Sequence, residues 1–130
     1  MTLVVDWGLY PNFSKREFDC KETGENRMQA SFMERLQRLR TAYGKPMRIT
    51  SGYRSPRHSI EAKKVRPGAH ASGHACDVAV QGGDALHLIR LALELGFTGI
   101  GVQQKGSGRF IHLDDHPDTA HVPRPALWSY

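Results

Sequence analysis

Apolar residues recur at every third or fourth position between Met28 and Tyr43, with charged residues between them. This spacing predicts an amphipathic helix over 28–43 that buries one face. Gly44 is expected to end the helix, and Pro46 prevents it from resuming. It is the longest regular element that the sequence predicts, so the other elements must pack around it.

Two shorter helices are predicted on either side of it. Ser14–Glu17 has the form of a capping box, which predicts a helical turn that presents Phe13 and Phe18 to the core. A further helix is expected over 85–95, with Asp84 as its N-cap.

Short strand patterns complete the predicted fold. They cover 47–50, 75–80, 98–103 and 109–114, while the tail 117–130 shows no regular pattern. Because helices and strands do not alternate regularly, we expect an α+β domain with a small antiparallel sheet packed with two to three helices. The segment 51–74 is rich in Gly, Ser, Pro and His, and loops of that length are usually functional.

Length and composition limit the possible classes of protein. The 130 residues suffice for one core, so a single domain over 1–130 is expected. No segment is long and apolar enough to cross a bilayer. Cys20 and Cys76 are interpreted as free thiols, since two cysteines do not make a disulfide framework.

Charge and the first residues indicate partners and location. The net charge of +5 favours anionic partners such as a polyanionic cell wall. The basic residues are scattered without interleaved aromatics, so a nucleic-acid partner is not expected. The segment 1–7 has no basic n-region, which predicts synthesis in the cytoplasm without a signal peptide. We expect a monomer.

Histidine and aspartate residues in two segments suggest a metal site. His70 lies in a glycine-rich segment, and Asp77 follows it by seven residues on a predicted strand. Further along the chain, strand alternation places His112 and Asp114 on one face and the apolar residues beside them on the other. Histidines satisfied within loops are commoner than ligands, so spacing alone leaves a structural role open.

Two imidazoles and one carboxylate form a donor set that suits Zn²⁺. Three protein ligands leave a fourth position for water, and zinc lowers the pKa of such a water to about 7. The same ion polarises a carbonyl group, which is what amide hydrolysis requires.

Four segments carry a resemblance to a known family. Gly68–Asp77 resembles the S-x-H-x-x-G-x-A-x-D signature of the zinc D-alanyl-D-alanine carboxypeptidase family, which includes phage L-alanyl-D-glutamate endopeptidases (endolysins) and shares a fold with the hedgehog signalling domain. Ile49–Pro56 is similar to the family's T-S-G-Y-R-S segment. Gly99–Val102 and Phe110–Asp114 are similar to its G-I-G-V and F-V-H-V-D segments.

The resemblance implies roles for particular residues. His70, Asp77 and His112 would be the ligands of a zinc ion in a hedgehog/DD-peptidase-like fold. Arg54 matches the arginine with which the family binds a substrate carboxylate, a task that suits a planar guanidinium. His74 is interpreted as a structural or rim residue.

The chain departs from the family pattern at two positions. Gly68 replaces the serine that begins the signature, and Arg109 replaces the acid that several members carry three residues before the last histidine. Asp114 is the expected general base, and the alternative is that Asp114 only orients that histidine. Asp115 and His116 remain rivals for the base.

The resemblance therefore implies a zinc metallopeptidase that hydrolyses an amide bond of the peptidoglycan stem peptide. Small size and positive charge suggest a phage or prophage lysis enzyme that reaches the wall after release by a separate pore protein, or a virion-associated enzyme. Both a D,D-carboxypeptidase and a murein endopeptidase remain possible. The alternative is a non-catalytic wall-binding or signalling module on the same scaffold.

Overall fold

The structure is a computed structural model in which residues 5–64 and 68–130 are described. Residues 1–4 and 65–67 lie outside the described residues. The expectation that the chain starts without a signal peptide rests partly on 1–4. The predicted loop 51–74 includes 65–67. Neither can be compared with the structure at those positions.

Within the described residues, five strands form one sheet in the order β1-β2-β4-β3-β5. The first four strands in this order form three antiparallel pairs, as the sequence predicts, whereas β5 pairs parallel to β3. The sheet is therefore mixed, and β5 lies in the tail for which the sequence predicts no regular structure. The strands are β1 (Arg48–Ser51), β2 (Ala75–Ala79), β3 (Gly99–Gln103), β4 (Phe110–Asp114) and β5 (Ala126–Ser129).

In the part of the chain that the structure describes, four α-helices accompany the sheet, which confirms the α+β class. They are α1 (Lys15–Phe18), α2 (Ala30–Tyr43), α3 (Ser59–Ala62) and α4 (Gly82–Glu94). The predicted long helix corresponds to α2, and Gly44 ends it in the left-handed conformation with φ 72°.

The start of α4 differs from the prediction. Gln81 is its N-cap, and Asp84 lies in the first turn instead of capping the helix. A carboxylate in the first turn still interacts favourably with the helix dipole. Asp84 also forms an exposed ion pair with Lys45, with Nζ and Oδ1 2.6 Å apart.

The core lies between one face of the sheet and the two long helices. Phe32, Leu36 and Leu39 of α2 are fully buried there, together with Ile111 and Leu113 of β4. This is the alternation that the sequence predicts for β4: Ile111 and Leu113 face the core, and His112 and Asp114 face the opposite side.

Two further predictions about the core are confirmed. Phe13 and Phe18 at the ends of the first helical turn are buried with their rings 5.7 Å apart. Cys20 and Cys76 are both free and buried.

The segment 51–74 contains more structure than a loop. It includes α3 and a 3₁₀ turn at Ala69–Ser72. Glu22 and Glu25 anchor its first half, because Ser59 Oγ donates to Glu22 (2.7 Å) and Ser55 Oγ donates to Glu25 (2.9 Å). Within the described ranges, the structure contains no helix that could span a membrane.

Candidate metal centre

Two neighbouring strands and one turn bring three donor side chains together. Asp77 of β2 and His112 of β4 are direct partners in the antiparallel register. His70 lies on the turn Ala69–Ser72 that precedes β2. All three residues are buried, and one ligand atom from each lies within 4.8 Å of the others. These are the three residues that the sequence analysis singled out as ligands.

The distances within this cluster fit a tetrahedral metal ion. Asp77 Oδ1 lies 3.3 Å from His70 Nε2 and 3.1 Å from His112 Nδ1, and the two imidazole nitrogens are 3.2 Å apart. With metal–ligand bonds of about 2.0 Å, the edge of a tetrahedron is about 3.3 Å. The donor set and its spacing therefore fit zinc.

The ring of His70 is oriented by the backbone. Its Nδ1 lies 2.8 Å from the carbonyl oxygen of Gly52. A carbonyl can only accept, so Nδ1 carries the proton and Nε2 presents its lone pair to the cluster. A Cβ at Gly52 would overlap Phe18, so only glycine fits at this position.

The turn that carries His70 is held from behind by Gly73. This residue has φ 79°, and a Cβ on it would overlap the carbonyl oxygen of Arg27. The amide of Gln29 donates to the Gly73 carbonyl oxygen over 3.0 Å. The glycine in the sequence signature therefore allows the turn to pack directly on the backbone that precedes α2.

Burial and hydrogen bonding oppose each other at Asp77. Burial by itself raises the pKa of this carboxyl group, but the hydrogen bonds with His112 and His70 outweigh it and hold the pKa well below its ordinary value. The Asp77 side chain is therefore ionised, which is the form that binds a metal ion.

Asp114 contacts His112 on the side away from the cluster. Its Oδ2 lies 2.6 Å from His112 Nε2, and its two oxygens accept two further hydrogen bonds from Arg124. Burial raises the pKa of the Asp114 carboxyl, but His112 and Arg124 lower it well below its ordinary value. Burial lowers the pKa of His112, and its bonds with Asp114 and Asp77 raise it more.

These contacts favour one of the two roles considered for Asp114. The carboxylate is fully buried and is absent from the residues that line the groove over the cluster. With its pKa lowered and both oxygens engaged, Asp114 is a weak proton acceptor and is well placed to orient His112. The sequence missed Arg124 because the tail offers no spacing that connects it with Asp114.

A groove of about 650 Å³ opens over the three donor side chains. Three cationic residues line it. Two are neutralised by buried carboxylates: Lys64 lies 2.5 Å from Glu61, and Arg124 binds Asp114. The third, Arg54, has no carboxylate partner among the described residues. The other lining residues are Ile60, Gly68, Ala69, Phe110, Val122, Trp128 and Tyr130.

Arg54 is fixed beside the cluster by its backbone. Its amide donates to the carbonyl oxygen of His70 over 3.2 Å, and this bond fixes the position of the Arg54 backbone relative to that of His70. The half-buried side chain lines the same groove as the three donors. The arrangement can bind an anionic group next to the cluster.

The remaining candidates lie outside the cluster. Asp115 pairs with Arg35 and His74, at 3.1 and 2.9 Å. His116 Nδ1 is bonded to the carbonyl oxygen of Pro117. Arg109 donates to the Gly106 carbonyl oxygen in the turn before β4.

Comparison with known proteins gave one family match. A family model described as Peptidase M15 matches residues 10–114 of the chain. This range includes the three donor residues and Arg54, and it ends at Asp114. No curated protein matches the chain at a significant level.

Proposed function

Because the chain belongs to the peptidase M15 family, we propose that it is a zinc-dependent peptidoglycan peptidase that hydrolyses an amide bond of the bacterial stem peptide. Peptidases of this family are zinc-dependent. The observation that carries the proposal is the buried cluster of His70, Asp77 and His112, whose spacing of 3.1–3.3 Å fits a tetrahedral ion.

The three donors would hold the ion at the floor of the groove. A bound zinc ion lowers the pKa of water and polarises a carbonyl oxygen, which together favour hydrolysis of an amide. Asp77 contributes a negative charge, and the two imidazoles are fixed in orientation by Gly52 and Asp114. The three donors are buried and line the groove.

Arg54 is proposed to bind a carboxylate of the substrate. It is the cation in the groove that has no carboxylate partner among the described residues, whereas Lys64 and Arg124 are already neutralised. A guanidinium can form two parallel hydrogen bonds with a carboxylate and thereby orient the scissile bond. The carboxylate would belong to the stem peptide, which is rich in such groups.

Asp114 is proposed to orient His112. The sequence favours a role as general base, but a base must reach the proton that it takes. Asp114 is fully buried and is held by Arg124, so the orienting role agrees better with its contacts.

The position of the substrate carboxylate would decide which bond is cut. A D,D-carboxypeptidase places a terminal carboxylate next to Arg54, whereas an endopeptidase can use the α-carboxyl of D-glutamate. Mass spectrometry of peptidoglycan that has been treated with the protein and then digested to muropeptides with a muramidase distinguishes the two. Loss of a single terminal residue identifies a carboxypeptidase, and separation of the peptide from the glycan-attached L-alanine identifies an endopeptidase.

A zymogram on purified peptidoglycan tests the proposed activity. We expect clearing by the wild-type protein, loss of clearing with a chelator, and recovery when Zn²⁺ is added back. Asp77→Asn should show no clearing, and His121→Ala, which changes an exposed histidine outside the groove, should clear like wild type. Removal of a terminal residue leaves peptidoglycan insoluble, so the same samples are also tested for released alanine. Wild-type protein loaded with zinc that gives neither clearing nor released alanine would contradict the proposal.

One observation favours a second candidate, a non-catalytic wall-binding module. Among the described residues that line the groove, Asp77 is the only acid, and Arg109 occupies the position at which several relatives carry one. A binding module would cosediment with peptidoglycan without releasing muropeptides or alanine. The two candidates are separated by measuring both quantities on one sample.

A lysis role in a phage or prophage forms the finer part of the proposal. The net charge of +5 supports it, because a basic protein is attracted to a polyanionic wall. Expression of the enzyme, which we expect to be a monomer, together with a pore-forming protein should lyse a susceptible cell, whereas neither protein alone should do so if the two act in sequence.

A further inference from the structure

The tail of the chain forms a buried ion pair with the sheet. Arg124 Nε donates to Asp114 Oδ1 over 2.8 Å, and its Nη2 donates to Oδ2 over 2.7 Å. The side chain of Arg124 is 9% exposed, and that of Asp114 is not exposed at all. The third nitrogen, Nη1, donates to the carbonyl oxygen of Pro123. Each of the three nitrogens of the guanidinium therefore donates a hydrogen bond within the protein.

The ion pair continues to the candidate metal ligand. Asp114 Oδ2 accepts from Arg124 and also lies 2.6 Å from His112 Nε2. The other nitrogen of the same ring, Nδ1, faces Asp77 and His70. A carboxylate held from one side by Arg124 thus determines where the ring of His112 points on the other side.

Trp128 contacts the same imidazole directly. Its ring centroid lies 4.9 Å from that of His112, and the guanidinium of Arg124 lies 5.2 Å from the centre of the indole. Trp128 is the register partner of Gly101 in the parallel pairing of β3 with β5. A Cβ on Gly101 would lie 2.6 Å from the indole Nε1 and 3.0 Å from His112 Cβ, so this glycine makes room for the contact.

Both residues lie beyond the part of the chain that matches the family, which ends at residue 114. We propose that Arg124 and Trp128 are positioning residues of the metal centre, which hold the ring of His112 so that Nδ1 faces the other two donors. The inference rests on the proposed function in one respect, that the three donors bind zinc. It assigns to the tail 115–130 a part in building the centre.

Removal of Arg124 would leave Asp114 as a buried carboxylate with one partner fewer. The carboxylate could then turn away from His112, and the imidazole would be free to rotate about its side-chain bonds. Groups that orient a metal-bound histidine typically change metal affinity by about 10- to 100-fold when they are replaced. We expect a loss in this range for Arg124→Ala and a smaller loss for Trp128→Ala.

The test measures zinc affinity, which is independent of any cleavage assay. Dissociation constants are obtained by competition with a chromophoric chelator for wild type, Arg124→Ala and Arg124→Lys. The matched control is Arg35→Ala, since Arg35 binds the adjacent acid Asp115 over 3.1 Å but contacts none of the three donors. We expect Arg35→Ala to stay within about twofold of wild type, and Arg124→Lys, which keeps the charge but loses the fork, to fall between Arg124→Ala and wild type.

A double-mutant cycle with Asp114→Ala shows whether Arg124 acts through the carboxylate. If it does, the losses of zinc affinity in Arg124→Ala and Asp114→Ala will not add in the double variant. The absorption spectrum of the Co²⁺-loaded protein provides a second readout, because its visible bands change when a ligand is displaced. Added guanidinium should partly restore affinity to Arg124→Ala and should leave the control unchanged.

Several results would overturn the inference. The inference is overturned if a folded Arg124→Ala variant binds zinc as tightly as wild type. It is also overturned if the losses of zinc affinity in the double-mutant cycle are strictly additive. If Arg124→Ala does not fold, Arg124→Lys and Trp128→Ala carry the same test. Wild-type protein that binds zinc but does not cleave peptidoglycan contradicts only the proposed function, whereas wild-type protein that binds no zinc contradicts both.

Discussion

The two sides of the metal centre are built in different ways. Asp77 and His112 face each other across two paired strands, in a ladder that joins Ala75–Ala79 with Phe110–Asp114 without interruption. His70 belongs to a short 3₁₀ turn, and two hydrogen bonds hold it: one from its ring to Gly52 and one from the amide of Arg54 to its carbonyl oxygen.

The strand side (Asp77 and His112) and the loop side (His70) differ in the number of contacts that hold the ligands in place. On the strand side, a ladder of backbone bonds fixes the two ligands, and a single change leaves most of the ladder intact. On the loop side, each of the two hydrogen bonds is needed to keep His70 in position. We therefore expect single substitutions on the loop side to displace His70 and weaken zinc binding, and loss of the strand-side ligand His112 to cost the zinc-free domain more stability than loss of the loop-side ligand His70.

The largest effect is expected from removing a ligand. His70→Ala and His112→Ala should each abolish chelator-sensitive hydrolysis, because each removes a donor. The two zinc-free variants should differ in their free energy of unfolding. His112→Ala should lower the free energy of unfolding by about 2–4 kcal/mol, since it empties a buried space and removes a partner of Asp114. His70→Ala should cost less. Equal losses in denaturant unfolding of the zinc-free proteins would contradict the comparison.

Asp114→Asn tests the strand side without replacing one of the three ligands. It leaves the buried guanidinium of Arg124 without a counter-charge, which should cost about 3 kcal/mol or more in unfolding experiments. Zinc affinity should fall by about 10- to 100-fold as the orientation of His112 is lost. A variant that keeps full zinc affinity while kcat falls would instead indicate that Asp114 acts as the base.

Gly73→Ala probes the loop side. The residue has φ 79°, and the new methyl group would overlap the Arg27 carbonyl oxygen. We expect a loss of about 2–4 kcal/mol in stability and weaker zinc binding. Gly44→Ala is the matched control: its φ is 72°, but nothing lies within 4 Å of the added atom. It should cost about 1 kcal/mol and leave zinc binding unchanged. The comparison fails if both variants bind zinc equally well.

Arg54→Gln should separate substrate binding from metal binding on the loop side. Loss of a charge-assisted contact with a carboxylate corresponds to about 1.5–3 kcal/mol, which we expect to see in kcat/KM. Zinc affinity and thermal stability should match wild type, because the side chain has no carboxylate partner among the described residues. A parallel fall in zinc affinity would show that Arg54 supports the turn of His70 instead.

The smallest effect is expected at Arg109. Its side chain bonds the Gly106 carbonyl oxygen in the turn before β4 and contacts no donor residue. Arg109→Ala should change the free energy of unfolding by no more than about 0.5 kcal/mol and should leave zinc affinity unchanged. A clear loss of stability or of zinc affinity would show that this turn helps to position the strand-side ligands.

Much of the fold follows from local patterns in the sequence. The spacing of apolar residues predicts α2 within two residues at its start and at the same residue at its end, and Gly44 stops the helix as expected. Four strands are predicted within one residue of their observed bounds. The parallel strand β5 is missed because its pairing depends on β3, which precedes it by some twenty residues and leaves no periodic signal in the tail.

The residues of the site divide in the same way. The sequence determined which side chains are available: His70, Asp77 and His112 are the ligands that the resemblance of Gly68–Asp77 and Phe110–Asp114 to the family's segments implies, whereas their spacing alone leaves a structural role open. Only the tertiary structure decided what surrounds them. Whether Asp114 is placed to accept a proton or to orient an imidazole depends on which groups its oxygens contact. Its partner Arg124 lies ten residues away on a tail whose course is determined by sheet pairing and not by local sequence.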